Sequence, residues 1–285
     1  MQRVLSTYLF VGQKLTPAIL AEVERARIPA VEIFCARHHF DYRSPEAVRE
    51  LKEWFAEHTL KLHSLHAPTS RDHSEGREST APISIAEPER VRRLDAVDEI
   101  KRVLETAEQV PFHFLILHLG GRQEMDERRR DAAFSSLEHL SVFAKHRRVT
   151  IALENTPGEL ATPANLRHFI ADTRLHDLRL CFDTGHAHME EGVERGYETM
   201  RELVVTTHVH DNHGEKDEHL LPFAGTIDWR ATLKDFAQAP AAENKLPMVL
   251  ELKDNAVNGA TEHNLSATLD KVKASFDKLE NAQNS

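Results

Sequence analysis

His66, His118, Glu154, Asp183, His208 and Glu251, all good metal ligands, stand at the closing edges of short apolar runs spread along this chain. Imidazole and carboxylate are common donors to divalent cations. Glu154, in IALENTPGE, and Glu251, in MVLELKD, each interrupt an apolar run with a carboxylate. Removing a carboxylate from water is costly unless a cation or a hydrogen-bond network compensates it, so two such residues point to a shared ion; a pair of salt bridges is the plainer alternative. Asp183 in CFDTGHAH and His208 in THVHDN complete a set of three carboxylates and one imidazole, which suits Mn²⁺, Mg²⁺, Co²⁺ or Zn²⁺ without choosing among them. A second group surrounds it: His66 in LHAP, His118 in ILHLGG, His186 three residues after Asp183, and Asp217 with His219 in DEH. Together they supply enough ligands for more than one ion. His210 follows His208 by two, so on a strand both point to one face, and the register between them stays open.

Ligands supplied strand by strand need an element that brings strand ends together. The apolar runs predict strands over 4–7, 30–35, 60–65, 112–117, 149–153, 179–182, 204–209 and 248–252. Helical periodicity falls between and after them, over 17–27, 45–58, 88–109, 126–146, 163–172, 193–203, 229–237 and 261–279. Thr16-Pro17, Ser44-Pro45, Glu87-Pro88 and Thr162-Pro163 are helix-start signals. Regular alternation demands a parallel sheet, and right-handed crossovers close it into an α/β (β/α)8 TIM barrel, whose active site lies at the C-terminal ends of its strands. An open doubly wound sheet is the competing architecture, but no Gly-rich dinucleotide fingerprint follows the first run. The expected organisation is one barrel domain over 1–285, with the polar stretch 69–87 as a substrate lid and 280–285 as a frayed tail.

A net charge of −10 argues against a surface built to grip nucleic acid. No run approaches the roughly 20 apolar residues that span a bilayer, and the first residues carry no signal-peptide cleavage pattern, so a soluble cytoplasmic protein is expected. Cys35 and Cys181 lie in strand-like apolar runs and are expected as buried, reduced thiols. Nineteen histidines are the compositional anomaly, and many of them fall at strand ends.

These motifs, in this order, resemble the xylose-isomerase-like barrel superfamily, which contains sugar and sugar-phosphate isomerases and epimerases as well as the endonuclease-four-type apurinic endonucleases of AP endonuclease family 2. The resemblance is carried by LHAP at His66, HLGG at His118, ALEN at Glu154, FDTGHA at Asp183 and His186, HVHDN at His208, DEH at Asp217 and His219, GTIDW at 225–229 and LELK at Glu251. It implies that His208, not His210, is the ligand, with Asp211 and Asn212 behind it. For an isomerase or epimerase it implies one divalent ion on Glu154, Asp183, His208 and Glu251, proton exchange by the two glutamates, and substrate contacts from His186 and His66. For an apurinic endonuclease it implies three zinc ions on those four residues together with His66, His118, His186, Asp217 and His219. Acidic charge, and a polar stretch after LHAP with no aromatic wedge for a base stack, favour sugar. The expected activity is therefore metal-dependent isomerisation or epimerisation of a small-molecule sugar or sugar phosphate through an enediolate. The alternatives are a tri-zinc phosphodiesterase and a metal-dependent lyase or hydrolase of an oxidised sugar. One departure stands out: Pro222-Phe223-Ala224-Gly225 replaces the Pro-Gly-Glu-Gly usual before Thr-Ile-Asp-Trp.

Overall fold

The computed structural model of the chain describes residues 1–70, 82–238, 246–259 and 264–283. Short runs rich in Val, Ile and Leu become strands buried on both faces, as a parallel sheet wrapped by helices requires; β2 is buried at every position. The strands are β1 (Gln2–Ser6), β2 (Ala30–Phe34), β3 (Lys61–His66), β4 (Phe114–Leu117), β5 (Thr150–Glu154), β6 (Arg179–Asp183), β7 (Val204–Val209) and β8 (Pro247–Leu250). Each pairs in parallel with the next, and β8 returns to β1 through pairs such as Leu5 with Leu250, so the sheet is a closed barrel. This is the (β/α)8 architecture expected from the alternation, with strand ends within two residues of the expected ones.

The helices are α1 (Pro17–Arg25), α2 (Pro45–Glu57), α3 (Arg90–Glu105), α4 (Glu127–Lys145), α5 (Pro163–Thr173), α6 (Thr184–Met189), α7 (Val193–Met200), α8 (Trp229–Ala237), α9 (Asp254–Asn258) and α10 (Leu265–Gln283). Thr16, Ser44 and Thr162 cap α1, α2 and α5, each accepting an amide N–H in the first turn ahead of a proline at its start. At α3 the start signal moves inward: Glu89, not Glu87, is the cap, and its carboxylate accepts from the Val91 and Arg92 amides. Short α6, directly after β6, was not expected. The outer core lies between strands and helices, where Val23, Leu51, Ile100, Leu137, Phe169, Leu233 and Phe276 are buried. Cys35 and Cys181 are free and buried, as expected. No helix among the described residues is long and apolar enough to cross a membrane.

One expectation changes, and one falls outside the described residues. The tail expected to fray from 280 continues α10 to Gln283, because Arg3 of β1 reaches its last turns, pairing with Asp277 at 2.7 Å and with Glu280. The stretch expected as a lid falls over 71–81 outside the described residues; at its edges Ser70 and Pro82 form an antiparallel bridge.

Two strands carry one residue more than their partners. Val31 pairs with Leu62 but Glu32 with Ser64, so His63 is the bulged residue of β3; Leu180 pairs with Val204 but Cys181 with Thr206, so Val205 is that of β7. A bulge re-aims the side chains beside it. Here it lets His63 Nε2 meet Thr206 Oγ1 at 3.1 Å across the barrel, while Ser64 faces Glu32 and Asp183 faces His208.

Candidate active site

Glu154 and Asp183 are the last residues of β5 and β6, His208 is the last but one of β7, and Glu251 directly follows β8. One donor atom from each lies within 4.8 Å of every other. All four side chains are buried. His208 Nδ1 stands 3.1 Å from Glu154 Oε2, 3.6 Å from Glu251 Oε2 and 3.9 Å from Asp183 Oδ2. The bulge at Val205 sets the register that places Asp183 beside His208.

The surrounding histidines are held by backbone carbonyls. Nδ1 of His66 lies 2.7 Å from the Ala67 oxygen, that of His186 3.0 Å from the Asn155 oxygen, and that of His219 2.9 Å from the Glu251 oxygen. A carbonyl only accepts, so Nδ1 carries the proton and Nε2 of the neutral ring carries a lone pair. That lone pair faces carboxylates: Nε2 of His66 is 3.3 Å from Glu154, and those of His186 and His219 are 3.7 and 3.0 Å from Asp217. Acceptors facing acceptors in a buried pocket need a positive charge between them, whether proton or metal ion. Glu154 Oε1, His208 Nδ1 and Asp217 Oδ1 are buried atoms that complete no hydrogen bond among the described residues. The donor set and these orphaned atoms fit a divalent cation.

The titration behaviour has the same cause. Burial disfavours charge on His186, but Asp183, Asp217 and Glu154 outweigh it and hold the imidazole well above its usual range. For His208 burial is again opposed, by the Cys181 sulfur and then by Glu154, Glu251 and Glu32, with the same upward result. Burial would raise the Glu154 carboxyl, yet His208 and His118 keep it well below the carboxylate range. The pocket therefore stabilises positive charge among ionised carboxylates.

Around the first quartet lie two further groups. His186, His210, Asp217 and His219 form one, and His66, Glu154 and His208 the other, each with donor atoms within 4.8 Å. His118 reaches Glu154 Oε2 at 3.1 Å and is the more open of these histidines, 22% exposed, at the rim. The nine sequence candidates thus come together at one end of the barrel.

His210, left open in the sequence, is fully buried, 3.1 Å from Asp183 Oδ1, with its ring stacked on His219 at a centroid distance of 4.0 Å. His208 of β7 and His210, one residue past its end, both face inward as their spacing predicts, but they serve different groups. Glu32 was missed altogether. It carries the signal used for Glu154 and Glu251, a carboxylate interrupting an apolar strand, but in mid-strand instead of at its end. Burial would raise its carboxyl, and His208 instead holds it down to about 2.

Loops behind these residues are equally specified. Asp211 accepts from Trp229 Nε1 at 2.8 Å and from the Ile227 amide at 3.1 Å, while Asn212 donates to the Gly185 carbonyl at 2.9 Å. A Cβ on Gly225 would lie 2.3 Å from the Asn212 oxygen, so the close approach requires glycine. His219 and Phe223 adopt left-handed backbone, φ 50° and 70°. At Phe223, 41% exposed, this is the conformation a glycine would hold without strain. Ala224 leaves no carboxylate at the neighbouring position.

A family model described as a xylose isomerase-like TIM barrel matches residues 20–273. An uncharacterized protein of Methanocaldococcus jannaschii is 28% identical over 240 residues, 80% of this chain and 77% of the relative. An uncharacterized protein of Sinorhizobium fredii is 27% identical over 203 residues, 64% of each chain. Among solved structures, a D-tagatose 3-epimerase-like protein superposes with a TM-score of 0.76 at 22% identity over 99% of both chains. A 3-keto-D-glucoside 4-epimerase from E. coli gives 0.75 at 17% over 97% of this chain and 99% of that one. The IOLI protein with a bound zinc atom gives 0.76 at 15% over 98% of both. At these identities the structural likeness is one of fold.

Proposed function

Because the chain belongs to the xylose isomerase-like TIM barrel family, we propose that it is a divalent-metal-dependent sugar or sugar-phosphate isomerase or epimerase, acting in the cytoplasm on a small-molecule substrate. The observation that carries this reading is the convergence of Glu154 and Glu251, with Asp183 and His208, on one buried pocket at the C-terminal end of the barrel. The names of the structural neighbours, sugar epimerases among them, support the same class.

Glu154, Asp183, His208 and Glu251 would hold the ion, which when bound polarises neighbouring substrate oxygens and acidifies the carbon-bound proton between them. Glu154 and Glu251 then divide the proton work: one carboxylate takes the proton from carbon and the other returns it, to the opposite face in an epimerase. For isomerisation the return is to the neighbouring carbon, with a matching proton shift between oxygens. His66 and His186 orient substrate oxygens, their rings already fixed by the Ala67 and Asn155 carbonyls. Burial of the pocket excludes water from the enediolate. The test is solvent-deuterium incorporation into a panel of ketoses and their phosphates at saturating metal. Glu154→Gln and Glu251→Gln are each expected to lose it with circular dichroism unchanged, and normal exchange in either variant would sink the assignment.

A second reading, a three-zinc phosphodiesterase, is favoured by the groups built around His186, His210, Asp217 and His219 and around His66, Glu154 and His208. Metal content after purification without added metal separates the two. About three zinc ions per chain, with cleavage at abasic sites, supports the hydrolase, and about one ion with deuterium exchange supports the sugar enzyme. The net charge of −10 weighs against a DNA substrate.

A further inference from the structure

Glu32 lies in the middle of β2, completely buried, between apolar neighbours. Its carboxylate accepts from Ser64 Oγ at 2.7 Å and faces His208 Nε2 at 3.1 and 3.3 Å. In the barrel β2 and β7 are not neighbours, so the second contact crosses the interior. Carboxylate oxygens accept from the hydroxyl and from the ring N–H alike, so Nε2 of His208 is read as the donor in this contact. Nδ1 is left to face Glu154, Glu251 and Asp183 at 3.1, 3.6 and 3.9 Å. This inverts the arrangement at His66, His186 and His219, where Nδ1 is the anchored nitrogen.

The β3 bulge at His63 brings Ser64 opposite Glu32, and its hydroxyl fixes the carboxylate's orientation. A buried carboxylate also carries a large desolvation cost, and an apolar side chain of similar volume would fill a packing role with less of it. A ligating imidazole whose other N–H is held by a carboxylate gains in basicity and in definition of its ring angle.

We propose that Glu32 is a positioning residue that acts through His208, holding the proton on Nε2 and the ring at the angle that presents Nδ1 to Glu154, Asp183 and Glu251. This rests on the reading of His208 as a metal ligand. The experiment combines long-range ¹H–¹⁵N spectra of the histidine rings with Zn²⁺ affinity, measured by competition against a chromogenic chelator, in wild type, Glu32→Leu and Glu32→Gln. Wild type is expected to show a downfield, slowly exchanging Nε2–H on His208, assigned by its loss in His208→Gln, both zinc-loaded and metal-free. In Glu32→Leu that proton should exchange fast and Zn²⁺ affinity fall about 10- to 100-fold. Glu32→Gln retains an accepting oxygen, so it should keep the protected proton and lose less affinity. An unprotected Nε2–H in wild type overturns the proposal without need of any variant, which covers the case of a variant that does not fold. A folded Glu32→Leu protein with unchanged proton exchange and Zn²⁺ affinity overturns it equally. Absence of Zn²⁺ binding by wild type would instead refute the metal reading, while the proton exchange would still decide the role of Glu32.

Discussion

Gly185 is a glycine because the ring of His210 occupies the space a side chain would take: a Cβ there would lie 2.0 Å from Cε1 and 2.3 Å from Nδ1 of that histidine. Gly185→Ala is therefore expected to push His210 away from Asp183 and to cost about 1–3 kcal/mol of stability, as overpacking of a tight interior does. Urea unfolding measures this, and an unchanged midpoint would mean that the ring has another place to go. His210 also shows where residue-level reading stops. Its two-residue spacing from His208 turns both side chains to the side that β7 presents inward, but does not tell which nitrogen faces which carboxylate, since that depends on Asp183 of β6 and on Asp217. Glu32 is not legible in the same way, because inside AVEIF it stands in mid-strand, away from the strand ends where a barrel gathers its site residues.

At the scale of elements, α3 is tied to the segment after β2 through Glu99. Its buried carboxylate accepts from Tyr42 Oη, from Arg43 Nε at 3.0 Å and from Arg102 Nη1 at 3.0 Å. Burial would raise this carboxyl, but Arg43 and Tyr42 together hold it below the usual value. A depressed carboxyl contributes stability above the ordinary carboxylate range and loses it as pH falls through the depressed pKa. Glu99→Gln is thus expected to cost about 1–3 kcal/mol at neutral pH, with the gap to wild type closing below about pH 4. A gap that persists in acid would argue that shape, not charge, holds the contact. Most elements were legible: Thr16, Ser44 and Thr162 announce their helices, and apolar runs bounded by polar residues announce the strands. Helix α6 was not, because CFDTGHAH reads as a ligand-bearing turn, and its six residues are too few to display periodicity.

For the whole molecule, the alternation of apolar runs and amphipathic segments was sufficient for the barrel, since few closed arrangements satisfy so regular a pattern. That regularity also gathers Glu154, Asp183, Asp217 and Glu251 at one end of the sheet, with Glu32 inside the barrel beneath them, and their mutual repulsion opposes folding unless a cation relieves it. A bound divalent ion should therefore stabilise the fold, by about 2.7 kcal/mol when free metal stands at 100 times its dissociation constant. Chelation by EDTA is expected to lower the melting temperature and added Mn²⁺ or Zn²⁺ to restore it; identical melting curves would count against a metal in this pocket. The bulges at His63 and Val205 limit how such a chain can diverge. Loops around the barrel can lengthen or shorten, but removing one residue from β3 or β7 would turn one side of that strand to the opposite face and misplace either its pocket histidine or its packing residues. A homologue that keeps both His66 and His208 must then keep the length of these two strands, so that insertions and deletions accumulate outside 61–66 and 204–209.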